Sequence, residues 1–156
     1  MLSQAAMEKF QQLLEHYPDK RAALLPTLHL VQSEVGYVSK EAIDYVAGLL
    51  SLTPTYVHSV ASFYTMFYKE KMGKYVIQVC RTLPCALCGS QKILEYLQGK
   101  LGIEVGETTP DGTFSLVTVE CLASCGTAPV IQINDDYYEG LNPEKVDRIL
   151  EELSRK

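Results

Sequence analysis

Clustered positive charge is missing from this chain. Its 14 lysines and arginines are scattered and outnumbered by 19 aspartates and glutamates, giving a net charge of -5. Phosphate backbones are bound by grouped cations, so a nucleic-acid partner is excluded and the charges read as a solvated surface. Long apolar runs are missing as well: none approaches the roughly 18 residues of a membrane span. The first residues, MLSQAAMEKFQQ, contain neither the basic segment nor the apolar stretch of a secretory leader. These absences lead us to expect a cytoplasmic protein with no direct membrane insertion. The 10 glycines form no Gly-x-Gly-x-x-Gly fingerprint, so the chain is not expected to bind a dinucleotide by itself. It also lacks internal repeats and low-complexity linkers.

What is present is apolar content in regular patterns. With 156 residues, 47% of them hydrophobic, the chain can fold one domain with a helical extension and needs no disulfides to do so. Met7, Phe10, Leu14 and Tyr17 recur at helical spacing before Pro18. Leu24, Leu28, Val31 and Val35 do so before Gly36, and Ile43, Val46, Ala47 and Leu50 give a third apolar face. Thr53-Pro54 supplies an N-cap and a first-turn proline for a fourth helix carrying Val57, Val60, Ala61 and Tyr64. The aromatic stretch that follows, with Phe63, Tyr64, Phe67 and Tyr68, reads as packing or as a surface that docks a partner.

Beyond Lys71-Met72-Gly73 the period changes. KYVIQVC, residues 74–80, alternates as a strand and ends at Cys80; residues 90–101 return to helical spacing through Ile93, Leu94, Leu97 and Leu101. A turn at Thr109-Pro-Asp-Gly introduces FSLVTVEC, a second strand ending at a cysteine, and residues 130–133 and 137–139 form a hairpin around Asn134-Asp135-Asp136. Asn142-Pro143 caps a last helix with Val146, Ile149, Leu150 and Leu153 turned inward. The expected fold is α+β: an N-terminal helical bundle over residues 1–70, then an α/β domain with a mixed sheet over 71–156.

The 5 cysteines are the chemically pointed feature. An odd number in two tight groups fits metal or redox chemistry in a reducing compartment better than disulfides. Each predicted strand runs into a cysteine followed by a second one in a short loop: Cys80-RTLP-Cys85 and Cys121-LAS-Cys125. If the two strands are neighbours, four thiolates converge at one edge of the sheet. That set suits the two irons of a 2Fe-2S cluster or a tetrahedral zinc; Cys-x4-Cys is unusual for zinc knuckles and favours the cluster. Backbone N–H groups in loops containing Ser90, Ser124 and Gly126 are candidate donors to it.

Two other readings stay open at this point. A plant-type cluster loop would take Cys80, Cys85 and Cys88, leaving Cys121 or Cys125 unexplained. A redox dithiol would use Cys85-Ala-Leu-Cys88 at a strand-to-helix turn, with Thr127-Ala128-Pro129 in the place of a cis-proline, and would leave three cysteines idle. Cys88 itself falls at the start of the helix expected over 90–101. His16, His29 and His58 lie in the helical part, away from the cysteines in sequence, which argues against histidine-ligated iron. Lys74, Arg81 and Glu120 are charged candidates for tuning a cluster potential, or ordinary solvated charges.

The two cysteine pairs, together with VQSEVGYV, VASFYTMF and TPDGTFSLVTVECLASCGTAPVIQIN, resemble the thioredoxin-like 2Fe-2S ferredoxin family over nearly the whole chain. More narrowly, they are similar to the 24 kDa-type (E) subunits of NADH:quinone oxidoreductase, respiratory complex I. The resemblance implies a thioredoxin-like domain preceded by a small helical bundle, and one 2Fe-2S cluster on Cys80, Cys85, Cys121 and Cys125, with Cys88 outside the set. It further implies one-electron exchange with FMN on an adjoining flavoprotein subunit that binds NADH. Further iron-sulfur subunits would join the complex, held peripherally on the cytoplasmic face of the membrane. This chain would supply no general acid, base or nucleophile and would turn over no substrate alone. The equivalent subunit of a soluble NAD-linked hydrogenase or formate dehydrogenase is the related alternative; a zinc-stabilised binding module is the alternative of another class.

Overall fold

In a computed structural model that describes residues 1–155, the chain divides into two compact units, Met1–Lys71 and Met72–Lys156. The first unit contains four helices: α1 (Gln4–Glu15), α2 (Leu24–Val35), α3 (Lys40–Leu50) and α4 (Pro54–Phe63). Three of them start where a hydroxyl satisfies free N–H groups: Ser3, Ser39 and Thr53 accept from Ala6, Ala42 and Tyr56 N–H. Gly36 ends α2 with φ 91°, a left-handed conformation that costs glycine little. The periodic residues Phe10, Leu28, Val31, Val46, Leu50 and Val57 close the core. Tyr17 and Val35, expected on the same apolar faces, are exposed because each stands at or beyond the end of its helix, past the packing contact.

The aromatic stretch splits in two. Phe67 is buried in the helical core, whereas Phe63 is 79% exposed. Gln32 grips the segment at two points: its Nε2 donates to the Met66 carbonyl at 2.9 Å, and its Oε1 accepts from Tyr68 N–H at 2.8 Å. His29 packs on Phe67 with ring centroids 4.9 Å apart, and His16 and His58 also bond within this unit, to Gln12 and Ser62.

The second unit is built on a four-stranded sheet in the order β2-β1-β3-β4. Strand β1 (Tyr75–Cys80) pairs in parallel with β2 (Phe114–Val119), in the register Ile77 to Leu116 and Cys80 to Val119. On its other side β1 pairs antiparallel with β3 (Ile131–Ile133), which turns through Asn134 into β4 (Asp136–Tyr138). The connection from β1 to β2 carries a short helix, α5 (Leu83–Leu87), and a long one, α6 (Ser90–Leu101); α7 (Pro143–Ser154) follows the hairpin. Ile77, Val79, Leu116, Ile131 and Ile133 pack with Ile93 and Leu97 of α6 and Val146, Leu150 and Leu153 of α7. Asn142 caps α7 by accepting from Lys145 N–H at 2.8 Å.

The expected mixed sheet is therefore present, with local corrections. Strand β4 begins one residue earlier than anticipated, because Asn134 takes a left-handed φ of 53° and the turn closes tightly. Cys88 does not open the long helix. It terminates α5, and Gly89, at φ 93°, separates it from α6. The turn feeding β2 is clamped by Asp111, whose carboxylate accepts from Thr109 Oγ1 and from Thr113 N–H and Oγ1. These bonds, the Thr109 bond first, hold its pKa down to about 2.

Candidate iron-sulfur site

The parallel pairing decides the site. Because β1 and β2 are neighbours running the same way, their carboxyl ends release both cysteine loops at one edge of the sheet. The first loop leaves directly from Cys80 and is stitched to its neighbours: Cys80 N–H donates to the Val130 carbonyl at 3.3 Å, and Arg81 N–H donates to the Val119 carbonyl at 3.1 Å. It turns at once into α5, with Pro84 in the first turn, and this turn returns Cys85 towards Cys80. Both thiols are 3% exposed and lie in a small apolar cluster with Leu122 and Val130.

The second loop leaves β2 two residues before Cys121. Cys121 and Cys125 are exposed, while Leu122 between them is buried against the first pair. Ala123 takes a left-handed φ of 57°, and its N–H donates to Cys121 Sγ at 3.3 Å. A 3-10 turn over Cys125–Thr127 leads to a cis peptide bond between Ala128 and Pro129. The far side is anchored by Glu139, which accepts from Ser124 Oγ and from Thr127 Oγ1, the latter at 2.7 Å; those two bonds lower its pKa.

The sulfurs sense one another. Burial disfavours the Cys80 thiolate, but the Thr82 hydroxyl, the Thr82 and Leu122 N–H groups and the Cys85 thiol outweigh it and bring the Cys80 pKa below its ordinary value. Burial pushes Cys85 up, with the bond to Cys80 and the charges of Cys80 and Cys125 adding to it, against the Val130 N–H. Thiols from both loops thus share one neighbourhood. All five cysteines are free thiols, and Cys88 is exposed at the end of α5. Among the described residues no three His, Cys, Asp or Glu side chains converge on a single-ion position.

The donor set fits a 2Fe-2S cluster. Four free thiols stand in two pairs, one pair per loop, and Thr82, Leu122, Ala123 and Val130 present N–H groups to three of the sulfurs. The three charged candidates separate. Arg81 and Glu120 form an exposed ion pair across the two loops, with Arg81 Nε 3.0 Å from Glu120 Oε1, whereas Lys74 lies over the Tyr75 ring at the opposite end of β1. Thr82, Leu122, Val130 and Glu139 join the site without having been expected there from the residue order. The Thr-Leu-Pro of residues 82–84, a cap followed by an early proline, is the available signal for α5.

The sequence profile of the thioredoxin-like [2Fe-2S] ferredoxin family matches residues 10–154. The chain belongs to that family. It is 42% identical over 144 residues to the E 2 subunit of NADH-quinone oxidoreductase from Rhizobium meliloti (strain 1021), covering 92% of this chain and 86% of the relative. Against the E subunit of NADH-quinone oxidoreductase from Rickettsia felis the identity is 46% over 147 residues, covering 92% and 88%. Among solved structures, an NAD+-reducing [NiFe]-hydrogenase in the air-oxidized state shares the fold, with a TM-score of 0.74 at 23% identity over 85% of this chain. The match takes in only 23% of that much longer hydrogenase chain.

Proposed function

We propose that this family member is an electron-transfer subunit of an NADH-quinone oxidoreductase, holding one 2Fe-2S cluster on Cys80, Cys85, Cys121 and Cys125. In that role it exchanges single electrons with FMN on an adjoining NADH-binding flavoprotein subunit and docks beside further iron-sulfur subunits. The observation that carries the reading is the emergence of two cysteine loops from the carboxyl ends of two adjacent parallel strands. Relatives that are E subunits of this oxidoreductase, at 42% and 46% identity over most of both chains, support the host complex. The hydrogenase likeness is one of fold and supports a related module.

The cluster, when bound, supplies a one-electron couple. The chain's residues hold and insulate it: Cys80 and Cys85 offer sulfur from a buried pocket, Leu122 and Val130 keep water from their side, and the N–H groups of Thr82, Leu122, Ala123 and Val130 offset negative charge on sulfur. No described helix is long and apolar enough to cross a membrane, and membrane association is assigned to the partners, on the cytoplasmic face.

The test is spectroscopic. The anaerobically purified or reconstituted chain is expected to be reddish-brown, with charge-transfer absorption that bleaches on reduction and one EPR signal in the reduced state. A colourless zinc protein would overturn the reading. Cys88→Ser should leave the spectrum intact, and loss of the cluster in that variant alone would refute the ligand set. Co-purified proteins identify the host: quinone-site and membrane subunits for the oxidoreductase, or a hydrogenase or formate dehydrogenase subunit for the related module.

A further inference from the structure

Thr82 stands where a helix cap stands, but its side chain does not cap. It occupies the N-cap position of α5 with φ -68° and ψ 162°, yet its hydroxyl makes no bond to the free N–H groups of that helix, the usual work of threonine at such a position. The hydroxyl instead donates to the Glu120 carbonyl on the other cysteine loop, and its oxygen lies 3.2 Å from Cys80 Sγ. Glu120 O is itself 3.7 Å from that sulfur. Three groups therefore share a small number of protons.

A threonine hydroxyl carries one proton and a carbonyl none. While the Thr82 proton goes to Glu120, the contact between Cys80 and Thr82 is made by the thiol donating to Oγ1. A cysteine that ligates iron has given up its thiol proton, so the contact can then be made only with Thr82 as donor. Hydrogen bonds to ionised acceptors are roughly twice as strong as neutral ones, so the thiolate outcompetes the Glu120 carbonyl for the hydroxyl. The Thr82 and Leu122 N–H groups facing the same sulfur are fixed parts of the backbone; the hydroxyl is a donor that rotates.

We infer that Thr82 is a positioning residue that sets the reduction potential through Cys80, by turning its hydroxyl from Glu120 to the ligand sulfur. The inference rests on Cys80 being a ligand. One-electron reduction brings in one electron from the titrant, takes up no proton and breaks no bond. It increases negative charge on the ligand sulfurs, which a hydroxyl donor stabilises more in the reduced state than in the oxidised one.

The experiment is an EPR-monitored redox titration of the cluster-loaded full chain as wild type, Thr82→Val, Thr82→Ala and Thr82→Ser. Valine and alanine should make reduction about three- to tenfold less favourable, a potential lower by about 30–60 mV for a one-electron couple. Serine, which keeps the hydroxyl, should restore the wild-type value. Equal potentials in all four proteins overturn the inference. So does loss of the cluster in both valine and alanine variants with serine intact, since the hydroxyl is then a tie needed for assembly. A wild-type chain without a 2Fe-2S spectrum, or a Cys80→Ser variant with an unchanged one, overturns the ligand reading first and this inference with it.

Discussion

The loop after β1 and the loop after β2 each carry two cysteines, and they are built on different terms. In the first, a strand end and a helix turn enclose both thiols, which are buried and surrounded by backbone donors. In the second, both thiols face solvent on a segment with a left-handed alanine and a single 3-10 turn. The difference teaches that the two loops present their sulfurs differently, the first from within an apolar cluster and the second from the solvent side. Leu122 reverses the pattern of its own loop: it is buried between the first pair and Val130, and so pins the open loop onto the closed one.

The largest expected effect tests that asymmetry directly. Cys80→Ser and Cys85→Ser should reduce cluster content to about a tenth of wild type or less, since a buried pocket shaped for sulfur adapts poorly to oxygen. Cys121→Ser and Cys125→Ser should lose the native spectrum too, but retain more iron in an altered form; equal iron in all four variants would break the comparison. Next comes Leu122→Ala, expected to lower the stability of the metal-free chain by about 2–3 kcal/mol in urea unfolding. Leu83→Ala and Leu87→Ala serve as controls, because these leucines are 69% and 78% exposed and should change stability by less than about 0.5 kcal/mol.

Ala123 gives a smaller effect of opposite sign. At φ 57° its Cβ strains the backbone, so Ala123→Gly should stabilise the metal-free chain by about 0.5–1 kcal/mol and Ala123→Val should destabilise it. The smallest effect is predicted for Glu120→Gln. The Arg81–Glu120 pair spans the two loops, but both side chains are mostly exposed, and at physiological salt its loss should leave the urea midpoint unchanged. A clear drop would show that the loops are held together by charge, against the role assigned to Leu122.

Much of this is legible in the residue order, and the reasons are local. Helices of ten residues or more declare themselves by period, as α1 to α4, α6 and α7 do, and the caps at Thr53 and Asn142 are single-residue signals. The meeting of the cysteine pairs follows once two strands are expected to end beside them. What escapes is too short to show a repeat. The five residues of α5 and the three of the 3-10 turn are too few to repeat a pattern, and so periodicity points Cys88 to the start of a helix instead of the end of one. Contacts across sequence, such as Gln32 to Met66 or Thr82 to Glu120, have no local signature, because they depend on which segments the helix packing in one unit and the sheet in the other bring together.

The parallel β1–β2 pairing also sets an order in time. A hairpin joins its strands through a turn, but these two are separated in the chain by the whole α5–α6 crossover, and loop-closure entropy must be overcome before their contacts form. Until that step is complete, Cys80 and Cys121 belong to unconnected stretches of a fluctuating polymer. A chain that holds a two-iron, two-sulfide cluster between these loops has therefore already passed the slow, long-range step of its own folding, and the colour expected of it serves as a receipt for that event.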